Sequence, residues 1–174
     1  MKKVVIFTFL LMFSQFGYCE DSGKDILKTV LDGFDETKPL IIEAQKNADR
    51  QDRFRFAYHY LYSDINVIKR GISSAVWGRE IRNYKATNLF GDYGFVGKTE
   101  EAKLLQMFIN ELQFLKSKVI EASIKTKHEN NGIRKINFNF ITADINAVIG
   151  KIQNALAGSG SHARKYPALR GSGW

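Results

Sequence analysis

Residues 54–94 fall on residues 134–174 without a gap, and nine of the 41 paired positions are identical. The identities include a whole tripeptide, Asp64-Ile65-Asn66 on Asp144-Ile145-Asn146, and continue through Ile72 on Ile152, Ala75 on Ala155, Gly78 on Gly158 and Leu89 on Leu169. The stretches upstream correspond as well. Ile26, Leu27, Val30, Leu31 and Phe34 meet Leu104, Leu105, Phe108, Ile109 and Leu112 at an offset of 78. The two-residue difference falls in a turn, where changes of length are tolerated best. The chain reads as two diverged copies of one unit: helix, turn, aromatic-led helix, then a glycine-bearing extension.

Each copy carries apolar residues three and four apart, the mark of an amphipathic helix. In the first helix Ile26–Phe34 gives way at Pro39, which predicts a kink or break near Thr37–Pro39, since an interior proline costs a hydrogen bond and clashes with the preceding turn. The pattern then resumes with Leu40, Ile41, Ile42 and Ala44. The stretch Phe54–Val76 has two periods at once. Phe54, Phe56, Tyr58, Tyr60 and Tyr62 alternate as in a strand, whereas Ala57, Leu61, Ile65, Ile68, Ile72 and Val76 keep helical spacing. The helical pattern persists for about twenty residues, far beyond an ordinary strand, and it decides the reading.

Trp77–Lys98 is rich in Gly and Asn and has no sustained period, so it reads as a linker of about 20 residues whose Phe90, Tyr93 and Phe95 dock on a surface. Thr99-Glu100-Glu101 opens a long helix, with Thr99 as its cap, and Leu104 to Ile124 (Ile120 included) form its apolar face. Gly158-Ser159-Gly160-Ser161 is expected to end the last helix, leaving a basic tail, His162–Trp174. One helical hairpin cannot bury both its apolar faces. The expected fold is therefore all-α: two tandem helical hairpins packed as an antiparallel four-helix bundle. Residues 20–98 form the first hairpin with its linker, and residues 99–174 the second with its tail.

The first nineteen residues have the layout of a secretory signal, with Lys2 and Lys3 ahead of the apolar run Val4–Phe13 and small residues Gly17 and Cys19 at the cleavage positions. The run is too short to span a bilayer. Cleavage after Cys19 would leave no cysteine, so the exported chain would hold its fold by apolar burial without disulfides. Lipidation at Cys19 is disfavoured, because Tyr18 stands where a small residue is wanted. Removal of Lys2 and Lys3 lowers the net charge from +8 to +6, a basic balance that suits an acidic partner, a membrane surface or a solvated exterior equally.

The unit resembles the RAQPRD family of integrative conjugative element proteins. The resemblance is carried by the signal-like start and the basic-aromatic opening Arg53-Phe54-Arg55-Phe56-Ala57-Tyr58. It continues in the core Ser63-Asp64-Ile65-Asn66, the helix end Ile68-Lys69-Arg70-Gly71-Ile72, and the Leu-x-Gly patterns at Leu89-Phe90-Gly91 and Leu169-Arg170-Gly171. Ser161–Pro167 keeps an Ala, a Pro and the basic character of the family's six-residue signature, and Arg79–Lys85 retains little of it. The resemblance implies a periplasmic or envelope-associated accessory of a conjugative, type IV secretion apparatus, with envelope proteins as partners. A secreted or surface helical binding protein, an adhesin or host-interaction factor, is the alternative.

No constellation supports an enzyme, a cofactor or a metal. His59, His128 and His162 lie apart, without a His-x-x-His or His-Glu-x-x-His pairing, and no Gly-x-Ser-x-Gly elbow is present. The candidate contact residues are aromatic and basic: Phe54, Tyr58 and Tyr62 on the aromatic-led helix, and His162, Arg164, Lys165, Tyr166, Arg170 and Trp174 in the tail. The tail also offers itself to an anionic membrane surface. Nucleic acid is a less favoured partner for the aromatics. The repeated polar residues Asp64, Asn66, Asp144 and Asn146 read as register-fixing groups, each Asp pairing with a base or capping a turn.

Overall fold

The computed structural model describes residues 22–48, 56–77, 89–128 and 138–165, with backbone alone for 128 and 159–165. Five helices account for most of them: α1 (Gly23–Glu36), α2 (Lys38–Asn47), α3 (Tyr58–Val76), α4 (Thr99–His128) and α5 (Phe138–Lys165). No strand occurs among the described residues. The all-α expectation holds.

Local chemistry sets several of the boundaries. Ser22 caps α1 by accepting the Asp25 N–H at 3.2 Å. Thr37 separates α1 from α2, and its hydroxyl donates to the Phe34 carbonyl at 2.9 Å while Pro39 sits in the first turn of α2. A proline is tolerated there because first-turn N–H groups have no partner within the helix. At the head of α4, Thr99 is already helical. The buried Glu101 in the first turn reaches back to accept the Gly97 N–H, ahead of the helix, at 3.3 Å.

The helices form a closed ring in which α1 lies beside α4, α4 beside α5, α5 beside α3 and α3 beside α1, with α2 continuing the α1 layer along α4. Gly23 faces Ala122 and Thr126, and Gly33 faces Leu115, so α1 runs antiparallel to α4. Lys24 lies over the Trp77 ring and Asp35 meets Lys69, so α1 is antiparallel to α3 as well. Helices α3 and α4 are therefore diagonal neighbours pointing the same way. The end of α3 and the start of α4 therefore lie at opposite ends of the bundle, and residues 89–98 are the described part of the crossover connection between them.

The two stretches thus pack on one another. Leu27, Val30, Phe34, Leu61, Ile68, Ile72, Phe108, Leu112, Val119, Ile145 and Ile152 are all at most 2% exposed. Each fully buried aliphatic or aromatic side chain contributes about 1.5–3 kcal/mol of transfer free energy. Two sequence expectations are corrected here. Ile120 and Ile124 are 45% and 55% exposed, and Ile42 is 38% exposed. Val119 and Ala122 hold the inward positions of α4 instead. At 100° per residue, Ile120 and Ile124 fall beyond the edge of the buried face. The helix α5 also continues through Gly158 to Lys165 rather than stopping at the glycine-serine run. Gly158 serves packing: a Cβ there would stand 2.5 Å from the Phe95 ring.

Candidate interaction site

The end of the crossover, residues 89–98, is a strap laid back along α3 on the side facing α5. Its course is fixed by four hydrogen bonds. The Phe90 N–H donates to Asp64 Oδ1 at 2.8 Å, the Tyr93 hydroxyl donates to Asp64 Oδ2 at 2.7 Å, and the Ala57 N–H donates to the Tyr93 carbonyl at 2.7 Å. Gly97 then donates to Glu101, as above. Gly94 has a φ of 82°, a left-handed conformation open to glycine at little steric cost, and it turns the strap between Tyr93 and Phe95.

Asp64 is the hub of this arrangement. It has no exposed surface, yet it accepts from Phe90, from Tyr93 and from Lys151 Nζ at 3.1 Å. Burial of a carboxylate is tolerable when an opposite charge and several donors replace its water. Lys151, from α5, also donates to the Phe90 carbonyl and lies 5.2 Å from the centre of the Tyr93 ring. A second buried carboxylate, Glu101, accepts the Tyr58 hydroxyl at 2.7 Å. Burial pushes the Tyr58 and Tyr93 hydroxyls well above the ordinary tyrosine pKa, and the neighbouring carboxylates add to the rise.

Aromatic packing completes the clasp. Tyr93 sits edge-on to Phe56 with ring centres 5.4 Å apart, and Phe90 stacks on Tyr60 at 5.6 Å, nearly parallel. The alternating aromatics are thereby divided. Phe56 lies just before α3, and with Tyr58 it points into the core. Tyr60 meets the strap, and Tyr62 is half-buried against the core.

Across the outer face of α3, between α1 and Phe90 of the strap, lies an open groove about 720 Å³ in volume. Leu31, Val67 and Phe90 form its apolar lining, and Ser63, Asn66, Lys69, Arg70 and Ser73 its polar lining, with Asp35 at the α1 edge. Asp35 is paired with Lys69 at 2.5 Å. Arg70 is exposed and uses its Nε to reach the Asn66 carbonyl at 3.3 Å, which leaves the outer face of its guanidinium to solvent. The edge contributed by α3 is cationic.

The residues singled out in the sequence are distributed unevenly. Tyr58, expected on a contact surface, is 5% exposed, because its ring fills the core and its hydroxyl is committed to Glu101. Asn66 lines the groove. Asn146 accepts from Lys116 at 3.1 Å across the α4–α5 seam, and Asp144 is buried at 1% exposure. Phe54, Tyr166, Arg170 and Trp174 lie outside the described residues, as do the side chains of His162, Arg164 and Lys165. The groove itself was not anticipated, although the sequence of α3 held a hint of it. Ser63, Asn66, Arg70 and Ser73 recur at three and four on the face opposite Leu61, Ile65, Ile68 and Ile72. Among the described residues, no cluster of three His, Cys, Asp or Glu residues could hold a metal ion, and no helix is long and apolar enough to cross a membrane.

Residues 21–93 match a protein family, Plasmid_RAQPRD, described as plasmid protein of unknown function. Over that stretch the chain is similar to the RAQPRD family. The match runs from just before α1 through the inward-turned Tyr93 and stops before α4, so it covers α1 to α3 and the first half of the strap. Every residue lining the α1/α3 groove lies inside the RAQPRD segment. Moreover, Ser63, Asn66, Lys69 and Arg70 are the same residues that carried the resemblance in the sequence. No curated protein and no solved structure matches the chain.

Proposed function

We propose that this protein is an exported, non-enzymatic accessory of a conjugative transfer apparatus, acting through protein contacts made at the α1/α3 groove. One observation carries the reading. The polar residues of the RAQPRD core motif line an open groove on the surface, while the intervening Asp64 and Ile65 of that motif face inward. A groove with aliphatic and aromatic walls and an Arg-Lys edge suits a partner segment bearing one apolar anchor and a carboxylate. The plasmid association of the family supports a role in transfer. On this reading residues 1–19 direct export, and residues 99–174 are a diverged second copy that supplies the other half of the bundle.

The test is genetic. Replacing Lys69 and Arg70 with Glu leaves the core untouched and reverses the charge of the edge. The expected result is a loss of plasmid or element transfer comparable to deletion of the gene, with normal growth and an unchanged circular dichroism spectrum. Undiminished transfer in the deletion strain would remove the protein from the transfer apparatus altogether.

A further inference from the structure

The outer face of the second half of α4 is the most apolar exposed surface among the described residues. Phe114, Ile120 and Ile124 are 56%, 45% and 55% exposed there. Phe140, from α5, is 38% exposed and adjoins them. Lys116 bonds Asn146, so antiparallel packing brings residue 140 beside the turn of α4 that holds Ile120 and Ile124. Four lysines are interleaved with these side chains, Lys116, Lys118, Lys125 and Lys127, against one acid, Glu121, which is paired with Lys118 at 2.9 Å. Lys118 Nζ also lies 6.0 Å from the Phe114 ring centre, so cation and apolar surface are presented together.

We infer that this face of α4 binds an anionic lipid surface. Charge complementarity commits it to that occupant: a net cationic stripe coincides with exposed aliphatic and aromatic side chains along about 20 Å of helix. The surface is the convex outside of one helix. A bilayer interface can mould itself to such a shape, whereas a protein partner's anchor residues need a pocket to fill. Long lysine side chains can extend to lipid phosphates while their methylene stems and the isoleucines lie lower, at the acyl boundary. No described helix is apolar enough to span, so the contact is peripheral. The inference is independent of the α1/α3 groove, which opens on a different side of the bundle.

Co-sedimentation of the protein, as isolated from cells that make it, with phosphatidylcholine vesicles containing about 30% phosphatidylglycerol tests this directly. Binding is expected to the anionic vesicles, to weaken steeply with salt, and to be absent with phosphatidylcholine alone. The paired Ile120→Ser and Ile124→Ser changes should lower the partition coefficient by about tenfold or more, and Lys127→Glu should lower it further. All three positions are exposed, so thermal melts should match the wild type. Met107→Ser, at a site 52% exposed elsewhere on α4, should bind as the wild type does. Three results would overturn the inference: no binding to anionic vesicles, binding unaffected by the α4 substitutions, or binding abolished only by removing residues 166–174. Capture of a soluble acidic protein by this face, with no vesicle binding, would likewise refute it and make the face a protein-contact surface.

Discussion

Tyr93 donates its hydroxyl to Asp64 at 2.7 Å and thereby fastens the strap to α3 across 29 residues of sequence. The same carboxylate holds the Phe90 N–H and the Lys151 ammonium, so three separate elements converge on one buried charge. Removing any of its donors leaves the fully buried Asp64 carboxylate short of a partner.

Asp64→Ala is accordingly expected to destabilise the fold by about 3 kcal/mol, since it leaves Lys151 without its counter-charge. Tyr93→Phe removes one hydrogen bond to that charge and should cost about 1.5–3 kcal/mol. Urea melts of both variants and of the double variant would measure their coupling. A double variant less destabilised than the sum of the two singles is the expected outcome.

Alkaline pH offers a second measurement. Tyr58 and Tyr93 both have hydroxyl pKa values raised by burial and by the carboxylates they face. The folded state therefore keeps protons that the unfolded chain releases near pH 10. The corresponding stability is fully present below that pH and is lost as pH rises above it. Denaturation midpoints taken from pH 8 to pH 11.5 should fall above about pH 10. The fall should be shallower once Tyr58→Phe and Tyr93→Phe are combined.

Two glycines of α5 should respond in opposite ways to the same change. A Cβ at Gly150 meets nothing within 4 Å, so Gly150→Ala should raise stability by about 0.5–1 kcal/mol through helix propensity. A Cβ at Gly158 would press on Phe95. Gly158→Ala should forfeit that gain and shift the Phe95 ring resonances in an NMR spectrum, with the strap displaced from α5.

The register of the core is tested by charge. Ile65→Asp and Ile145→Asp each place an unpaired carboxylate where exposure is 6% and 0%, and should cost about 3–5 kcal/mol. Ile120→Asp, on the exposed face of α4, should stay within about 0.5 kcal/mol. Thermal melts that ranked Ile120→Asp with the other two would contradict the observed burial.

Much of this architecture was legible beforehand, because apolar spacing of three and four reports directly on burial. Ile26 to Phe34, Ile65 to Ile72 and Ile141 to Ile152 all lie where their periodicity placed them, and Pro39 announced the break at Thr37. Spacing alone misjudged Ile120 and Ile124, since a sequence of apolar residues does not say how wide a stripe its neighbours will cover. It also misjudged Gly158, whose value lies in the approach of Phe95 from another part of the chain. Tyr93 and Phe90 were recognisable as residues that dock. Their anchorage on Asp64 was not, because a contact between a loop and a helix leaves no period to read. The groove escaped notice for a related reason: its walls come from two helices whose crossing is set by the core beneath.

The diagonal relation of α3 and α4 bears on what the first stretch could be by itself. Gly23 finds its neighbour at Thr126, more than a hundred residues later, and Gly33 finds Leu115. Until those residues exist, the side of α1 that bears Leu27, Val30 and Phe34 has only half its covering. A molecule composed of the RAQPRD segment and nothing more would be a clasped hairpin with one wall missing. This chain carries that wall itself and can close its core without a second molecule.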